Sequence, residues 1–498
     1  MDFIEKHLST TQIIILSFFL ADIAGALLLA LPISAADGRA TPFIDALFTS
    51  TTSICVTGLV TVTTASHWSL FGHIVILVLI QTGGLGVVTM TMTVMLALGK
   101  RITMRNRMLL GDSFNMDTLK GLVNFLRRVF FGTFIVEGIG AVCYLPVFVP
   151  EYGIVRGIWY SVFHAVSAFC NAGIDVLGDS SFMPYVHNTW VNIVTMCLIV
   201  LGGIGFIVWW DIIRFIRLKS SEDTRRATGM HNISLHSKIV LSMTFFLIVA
   251  GSVMYLVFEF HNPKTIGNYT AGEKVLAALF QSVTTRTAGF ATISQAGLTA
   301  PSVILSVILM FIGGSSVGTA GGVKTSTIAV ILMTVMATVR GQADITCFHR
   351  RVSAKTVRKA VAIVLISFMA SIIALTAMFL LERGNPADII FEVYSALGTA
   401  GLTRDYTPLM GMSGKVIITV CMFLGRIGPI SMVIAFTMRD KQSAVHLPEE
   451  SITVGCKKGG EYEKIGGKEI ICGIWPWGVW TECCVGAYGS GRGCNGVR

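Results

Sequence analysis

The chain has 498 residues, of which 53% are hydrophobic and only 13% are charged, and its mean hydropathy is +0.72. Soluble domains carry about a quarter charged residues, so this composition excludes a soluble globular protein and indicates an integral membrane protein. The formal net charge of +10 reflects clusters of Lys and Arg between apolar segments. It is a topology signal, and nucleic-acid binding is not needed to explain it.

Eight apolar runs are long enough to cross a bilayer. They lie at 11–32, 70–98, 129–150, 190–213, 239–260, 302–338, 361–381 and 416–437. Three of the intervening loops, 99–128, 214–238 and 340–360, hold the Lys and Arg clusters. Because basic loops stay in the cytoplasm, these three loops and both termini are expected there. We therefore predict an all-α integral membrane protein with eight transmembrane spans.

A shorter segment, too short to cross, lies between the two spans of each pair. The four segments are 45–62, 159–176, 277–293 and 392–407. Each begins as a mildly apolar half-helix and ends in small or hydroxyl residues, then a glycine and an aliphatic or aromatic residue. The aligned glycines are Gly58, Gly173, Gly289 and Gly401. The pattern predicts four re-entrant half-helices, each followed by a loop at membrane depth.

A glycine-rich break in the following span recurs in the same register. The breaks read QTGGLG (81–86), VLGGIG (200–205), FIGGSSVG (311–318) and FLGRIG (423–428). The chain therefore reads as four tandem helix–pore-loop–helix repeats. We place them at 10–99, 124–218, 239–340 and 360–438.

Non-helical backbone at membrane depth survives only beside a cavity or within protein. Glycine adopts backbone angles that other residues avoid, so four glycine loops can turn their carbonyl oxygens toward one axis. Such carbonyls would replace the water shell of a dehydrated cation. The alternative is that the glycines serve close helix packing alone. Four glycines in the same register, each after a half-helix, make this alternative less favoured.

On these motifs, VTGL, NAGI, TAGF and TAGL, residues 10–440 resemble the bacterial Ktr/Trk family of potassium transporters, and the eight-span core is closest in size to the KtrB-like membrane subunit. The resemblance implies potassium uptake with no covalent chemistry, so no enzyme. It also implies a selectivity filter with potassium as the bound metal. Its residues would be Val56, Thr57, Gly58, Asn171, Ala172, Gly173, Thr287, Ala288, Gly289, Thr399, Ala400 and Gly401.

The resemblance also implies roles for two further elements. The polar interruption 313–327 in the sixth apolar run would be an intramembrane gate loop; a static plug is the alternative. Its residues are Gly313, Gly314, Ser315, Ser316, Gly318, Thr319, Gly321, Gly322 and Lys324. Arg426 stands where the other repeats have glycine, and it would form a barrier below the filter. A structural ion pair is the alternative role for Arg426. Glu137 is an acid within the third apolar run, and a hydrogen bond to a neighbouring helix is its favoured role.

The resemblance also implies a cytosolic RCK-type nucleotide-binding ring (KtrA/TrkA-like) as regulatory partner, with ATP/ADP or NAD(H) bound to that partner only. A homodimer in the bacterial inner membrane, and Na⁺ as an activator, are expected on the same ground. The rival hypothesis is a secondary transporter that binds a small organic solute at broken helices.

The tail at 455–498 differs from the rest and is predicted to be disordered. It is rich in Gly, Cys and Trp and has no metal-ligand spacing. Tryptophan has the single codon TGG, so a reading frame shifted by one base gives a glycine codon at each of Trp475, Trp477 and Trp480. These three glycines have the spacing of a dinucleotide-binding fingerprint. We therefore interpret the tail as an out-of-frame reading into an adjacent gene for a nucleotide-binding subunit. Sequencing the genomic locus tests this interpretation.

Overall fold

A computed structural model gives the fold as two units, residues 1–438 and 439–498. The structure describes residues 10–97, 111, 121–220, 233–342, 344–428, 464–465 and 468–469. In the second unit, the described residues form one antiparallel pair of two-residue strands, Lys464–Ile465 with Lys468–Glu469. The rest of the predicted tail 455–498 lies outside the described residues, as do residues 99–110, 112–120 and 221–232 of the basic loops.

Four long helices are each apolar enough to cross a membrane. They are α1 (Thr10–Leu29), α5 (Leu122–Tyr152), α9 (Leu235–Glu259) and α13 (Ala354–Leu381). Large apolar side chains such as Phe245 and Ile373 point away from the protein on these helices, as expected of surfaces that face lipid. These helices agree with the predicted spans 11–32, 129–150, 239–260 and 361–381.

A shorter helix follows each long one. The four are α2 (Phe43–Ile54), α6 (Ile154–Cys170), α10 (Ala271–Thr284) and α14 (Pro386–Gly398). Each begins near the surface; α14, for example, is capped by the Asn385 side chain, which accepts from the Ala387 N–H at 3.1 Å. Each ends among fully buried residues. A helix that starts at the surface and stops in the core is the half-helix that the sequence predicts.

The second helix of each repeat is broken or short. These inner helices are α3 (Leu70–Leu85) with α4 (Val87–Ala97), α7 (Thr189–Gly203) with α8 (Phe206–Ser220), α11 (Ala300–Phe311) with α12 (Thr325–Val339), and α15 (Met412–Ile427). The first two pairs bend by 98° and 99°.

The predicted glycine-rich breaks thus coincide with interruptions or ends of the inner helices. By length and composition, the described residues contain four spanning helices, or six when each bent pair counts as one. The run 302–338 is split into α11 and α12 by a loop, and helix α15 ends at Ile427, with residues after 428 outside the described part. The bends have a local cause, because Gly86, Gly205 and Gly428 have φ of 87°, 90° and 92°. A left-handed residue ends a helix.

In the first, second and fourth repeats, a glycine next to the break lets the inner helix pass close to the half-helix of its own repeat. A Cβ on Gly83 would overlap the carbonyl oxygen of Ile54, and a Cβ on Gly202 would overlap that of Phe169. In the fourth repeat the glycine in this position is Gly425, against the Leu397 carbonyl. Only glycine permits this approach.

The described part of the third basic loop contains a small hairpin. Strand Thr346–Cys347 pairs with Arg350–Arg351, and Arg351 forms an exposed ion pair with Asp344 at 2.8 Å. Exposed pairs of this kind contribute little to stability.

At the opposite end of the molecule, carboxylates join long helices to inner helices. Glu382, directly after α13, accepts hydrogen bonds from the Gly414 N–H and the Ser413 hydroxyl, both at 2.7 Å, and from the Gly411 N–H at 3.1 Å. Partial burial opposes its ionisation, but the bonds from Ser413, Gly411 and Gly414 outweigh burial and hold the pKa of Glu382 below its ordinary value. A carboxylate at a helix N-terminus also interacts favourably with the helix dipole.

Replacement of Glu382 by alanine should lower the stability of the protein by about 1–3 kcal/mol, because the N–H groups at the start of α15 lose a charged acceptor. The measurement is the thermal midpoint of detergent-purified protein at pH 7. Since the folded pKa is depressed, the contribution is present above the unfolded value of about 4.3 and is lost as the pH falls through the folded pKa. Arg383→Gln, at the exposed neighbour, is the matched control, and an equal loss in both variants would contradict the assignment.

Candidate functional site: a ring of four loops

The four loops share one unusual backbone geometry. The residue two before each aligned glycine has positive φ although it is not glycine: Val56 at 55°, Asn171 at 60°, Thr287 at 70° and Thr399 at 50°. The glycines themselves have φ of 104°, 64°, 88° and 80°. Side-chain-bearing residues rarely adopt this region, and β-branched ones least. Alternation in the sign of φ turns successive peptide planes so that their carbonyls share one side of the chain.

The loops close into a ring. A Cβ added to any of the four glycines would overlap or crowd the carbonyl oxygen that precedes the glycine of the next loop. The pairs are Gly58 with Ala172, Gly173 with Ala288, Gly289 with Ala400, and Gly401 with Thr57. The last pair returns to the first loop, so the order around the ring is the order in the chain. All twelve predicted filter residues lie in this ring, and all are buried.

Hydrogen bonds from the half-helices hold three of the loops in the same way. The N–H of the residue before each glycine donates to a carbonyl five residues earlier, at 2.8 Å in each case: Thr57 to Thr52, Ala172 to Ser167, and Ala400 to Ser395. In the third loop the bond from the Ala288 N–H goes to the Thr284 carbonyl, four residues earlier, at 3.0 Å. The hydrogen bond that anchors the third loop therefore spans one residue fewer than in the other three loops, so the third half-helix meets the ring one residue out of register.

A cavity of about 130 Å³ opens on one side of the ring. All four glycines line it, together with the acidic residues Asp175, Asp179 and Asp405. We call this cavity the outer mouth. The sequence interpretation missed Asp175 and Asp179, whose signal is the position of two acids shortly after the second loop. Acidic walls raise the local concentration of cations.

A second cavity, of about 250 Å³, lies among the helix breaks. Its lining includes Gly84, Gly318, Ala320, Lys324 and Arg426. We call it the inner cavity. The predicted gate loop and the predicted barrier residue therefore border the same space.

The predicted gate loop is shorter than expected, because α12 already begins at Thr325. The remaining loop, 312–324, satisfies much of its own backbone. Ile312 and Val323 form a parallel bridge, the Gly313 N–H donates to the Val323 carbonyl at 2.9 Å, and the Thr325 N–H donates to the Gly314 carbonyl at 3.0 Å. A Cβ on Gly321 would overlap the Thr399 hydroxyl, so the loop lies directly against the fourth filter triplet.

The loop also bonds to the second repeat. The Ser315 N–H donates to the Gly203 carbonyl at 2.9 Å, and the Phe206 N–H donates to the Val317 carbonyl at 2.9 Å. The Thr319 hydroxyl donates to the Phe169 carbonyl near the end of α6 at 3.1 Å. These bonds are neutral and few, so they define one position of the loop without covalent or ionic restraint.

Arg426 joins three repeats. From α15 its guanidinium donates to the Thr319 carbonyl in the loop and to the Gly83 and Gly84 carbonyls at the first break, the last at 3.2 Å. Lys324 donates to the Ala320 carbonyl at 2.6 Å. The described partners of Arg426 are thus carbonyl oxygens, which differs from the ion pair considered as an alternative. Both cations border the inner cavity.

Glu137 lies apart from the ring and is buried. It accepts from the Gln81 amide at 3.2 Å and from the Cys170 thiol at 3.7 Å. These contacts join α5 to α3 and to the end of α6, which is the helix-to-helix bond that the sequence interpretation favoured.

Comparison with known proteins agrees with this architecture. The family profile described as TrkH, cation transport protein, matches residues 5–446, which stops before the predicted tail. The "Potassium/sodium uptake protein NtpJ" of Enterococcus hirae is 36% identical over 91% of this chain and 98% of its own length. The "Ktr system potassium uptake protein B" of Bacillus subtilis is 36% identical over 89% of this chain and 96% of its own.

A solved structure gives the same fold. The crystal structure of the potassium transporter TrkH from Vibrio parahaemolyticus matches with a TM-score of 0.65, covers 86% of each chain, and is 16% identical. At that identity the likeness concerns the fold.

Closure of the ring predicts the effect of one added methyl group. Gly401→Ala should destabilise the protein by about 2–4 kcal/mol, because the new Cβ would overlap the Thr57 carbonyl and the residue would keep a left-handed backbone. The thermal midpoint in detergent measures this effect. Gly38→Ala is the control: Gly38 also has positive φ, at 70°, but its surroundings are open. Equal losses would mean that backbone strain alone, and no ring contact, is responsible.

Proposed function

Since the chain belongs to the TrkH family of cation transport proteins, we propose that it takes up potassium ions across the bacterial cytoplasmic membrane through the ring of four loops. The observation that carries this proposal is the closed ring of glycines and carbonyls between two cavities. The relatives named as potassium uptake proteins support the choice of ion. They also favour a cation over the small organic solute of the rival hypothesis.

Potassium would enter through the outer mouth, where Asp175, Asp179 and Asp405 concentrate cations. At the ring, carbonyl oxygens of the four triplets replace the water shell of the ion. The half-helices end at Ile54, Cys170, Thr284 and Gly398, immediately before the loops. Because a helix C-terminus carries partial negative charge, four of them facing the ring stabilise a cation there. No bond is made or broken, so the activity is transport and not catalysis.

Passage beyond the ring would be controlled by the loop 312–324 and by Arg426. The loop borders the inner cavity and lies against Thr399, so in this position it obstructs the path from the ring. Arg426 places a positive charge beside the same cavity. Opening requires that the loop break the hydrogen bonds of Thr319 with Arg426 and Phe169. The free-energy cost is that of a few hydrogen bonds that water can replace.

Regulation would come from a cytosolic partner. The name "Ktr system potassium uptake protein B" describes one lettered member of a system, which supports an RCK-type nucleotide-binding ring of the KtrA/TrkA kind docked on the cytoplasmic face. On this proposal ATP/ADP or NAD(H) binds the ring only, and two copies of this chain form a homodimer. The name "Potassium/sodium uptake protein" of another relative supports Na⁺ as a second ion or activator. The basic loops support a cytoplasmic location for both termini.

The proposed function is tested by growth on low potassium. Bacterial cells that lack their own uptake systems should grow when they express this chain, and should fail with Gly289→Asp, because a carboxylate side chain in the ring both crowds Ala400 and binds the ion too tightly. Gly272→Asp is the matched control. It makes the same substitution at the start of the same half-helix, in open surroundings, where an acid is favourable.

Failure of the wild type to rescue growth, with the protein present in the membrane, would contradict potassium uptake. Rescue by Gly289→Asp equal to that of the wild type would contradict passage through the ring.

Deletion of Ser316–Ala320 tests the gate. The deletion removes the contacts of Val317 and Thr319 with the second repeat and with Arg426, so the initial rate of Rb⁺ uptake should rise severalfold if the loop obstructs the path. Thr319→Val is the milder companion and should raise the rate less, since it removes only the hydroxyl bond to Phe169. Unchanged uptake by a folded deletion variant would instead support a static plug.

A further inference from the structure

Three half-helices carry a buried polar side chain at one shared position. His164 and Glu392 precede their filter glycines by nine residues, and Gln281 precedes its glycine by eight, in the half-helix that meets the ring one residue out of step. Each of the three residues is 0% exposed. A buried polar side chain costs free energy unless it is hydrogen-bonded, so the partners of each one show what it holds.

Glu392 holds the chain that leaves the fourth loop. Its two carboxylate oxygens accept from the Thr403 hydroxyl and, at 2.8 Å, from the Thr407 hydroxyl. The two hydroxyls are themselves 3.0 Å apart. One turn earlier on the same half-helix, Asp388 pairs with Arg404 at 2.6 Å. Two successive acids of α14 therefore fix residues 403–407 directly after Gly401.

Gln281 does the same in the third repeat with an amide pair. Its Nε2 donates to Oε1 of Gln295 at 2.7 Å, and Nε2 of Gln295 donates back to Oε1 of Gln281 at 3.1 Å. The Gln295 amide also donates to the Ile293 carbonyl at 2.9 Å. Gln295 follows Gly289 and lines the outer mouth.

His164 serves the second repeat with an imidazole. The Val176 N–H donates to its Nε2 at 3.4 Å, and the ring nitrogen Nδ1 lies 2.7 Å from the Tyr160 carbonyl. Because a backbone N–H only donates and a carbonyl only accepts, the imidazole is neutral with its proton on Nδ1. Val176 is three residues after Gly173, so the held segment again lies just beyond the ring.

Hydrogen bonds also link the segments that these three residues contact. The Arg404 guanidinium, fixed by Asp388, donates to the Gln295 carbonyl at 3.3 Å. The Ala291 N–H of the third repeat donates to the Ser181 hydroxyl of the second repeat at 3.2 Å. The segments beyond the ring in the second, third and fourth repeats therefore form a polar collar over three of the four repeats. It is anchored to their half-helices by three different side-chain chemistries.

We propose that His164, Gln281 and Glu392 are positioning residues that hold the segments leaving the ring and thereby set its discrimination between K⁺ and Na⁺. The inference rests on the proposed passage of potassium through the ring. Discrimination between the two cations depends on where the carbonyls are held and how freely they move, and a site that is loose by a fraction of an ångström loses its preference. A loosened collar would let the carbonyls close around the smaller Na⁺.

Thr407 offers the sharpest test, because it can be changed without altering volume or charge. Thr407→Val removes the hydroxyl that donates to Glu392, whereas Thr407→Ser keeps it. Initial K⁺ and Na⁺ influx are measured separately in cells that lack other uptake systems. We expect Thr407→Val to lower the ratio of K⁺ to Na⁺ influx about fivefold, the factor equivalent to one typical hydrogen bond, and Thr407→Ser to stay within about twofold of the wild type. Glu392→Gln, which replaces one of the two accepting oxygens by an NH2 donor, should lower the ratio as well.

Tyr394→Phe is the matched control for general loosening of α14. The Tyr394 hydroxyl lies on the same half-helix but bonds Ser371 of α13 at 3.3 Å, and not the segment that leaves the fourth loop. Its loss should leave the influx ratio within about twofold of the wild type, even if total influx falls.

An unchanged ratio in Thr407→Val, with normal protein in the membrane and Gly289→Asp inactive, would overturn the inference and leave the proposed function intact. Activity of Gly289→Asp would instead overturn the proposed function. Should Thr407→Val not reach the membrane, Gln295→Met replaces it, since it removes the amide pair in the third repeat at similar volume. An unchanged ratio there would overturn the inference equally.

Discussion

A peptide group that leaves the helix at membrane depth must find its hydrogen-bond partner inside the protein. This constraint governs both irregular regions of the chain. In the ring, the N–H groups turn back to the half-helices, as Thr57 does to Thr52, which leaves the carbonyls free to face the axis. In the loop 312–324, the pairing of Gly313 with Val323 supplies the partners that a helix would otherwise provide. The same rule thus leaves carbonyls without a backbone partner in the ring and pairs the backbone of the loop with itself.

Glycine makes both arrangements possible, but for two separate reasons. In the ring, Gly58 and its three counterparts combine a left-handed backbone with contact against the next loop, so no other residue meets both demands. At Gly83, Gly202 and Gly425 the requirement is close approach alone, because an inner helix passes beneath a half-helix. In the first, second and fourth breaks, positive φ occurs instead at the last glycine, which is Gly86, Gly205 or Gly428.

The sequence was sufficient for features that repeat. Four glycines in register, half-helices of limited length and glycine-rich breaks predict the all-α fold and bring the twelve filter residues together. It was insufficient where the geometry is local or long-range. Nothing in GGLG or GGIG distinguishes a mild kink from a bend near 100°, and the start of α12 at Thr325 depends on the pairing of Gly314. The bond from Arg426 to Thr319 and Gly83 joins three repeats, and no periodicity predicts contacts across such separations.

The proposed function makes opposite demands on symmetry in the ring and in the region below it. A fourfold arrangement presents equivalent oxygens to a spherical ion, and the chain approaches it with three matching loops and one that is a residue out of step. Control requires a single element that moves, and symmetry would work against it: four arginines in the position of Arg426 would repel one another and any cation. One arginine among three glycines avoids this repulsion. Its partners are neutral carbonyls, which water can replace at modest cost, so the contact that holds the loop is also one that a conformational change in α15 can break.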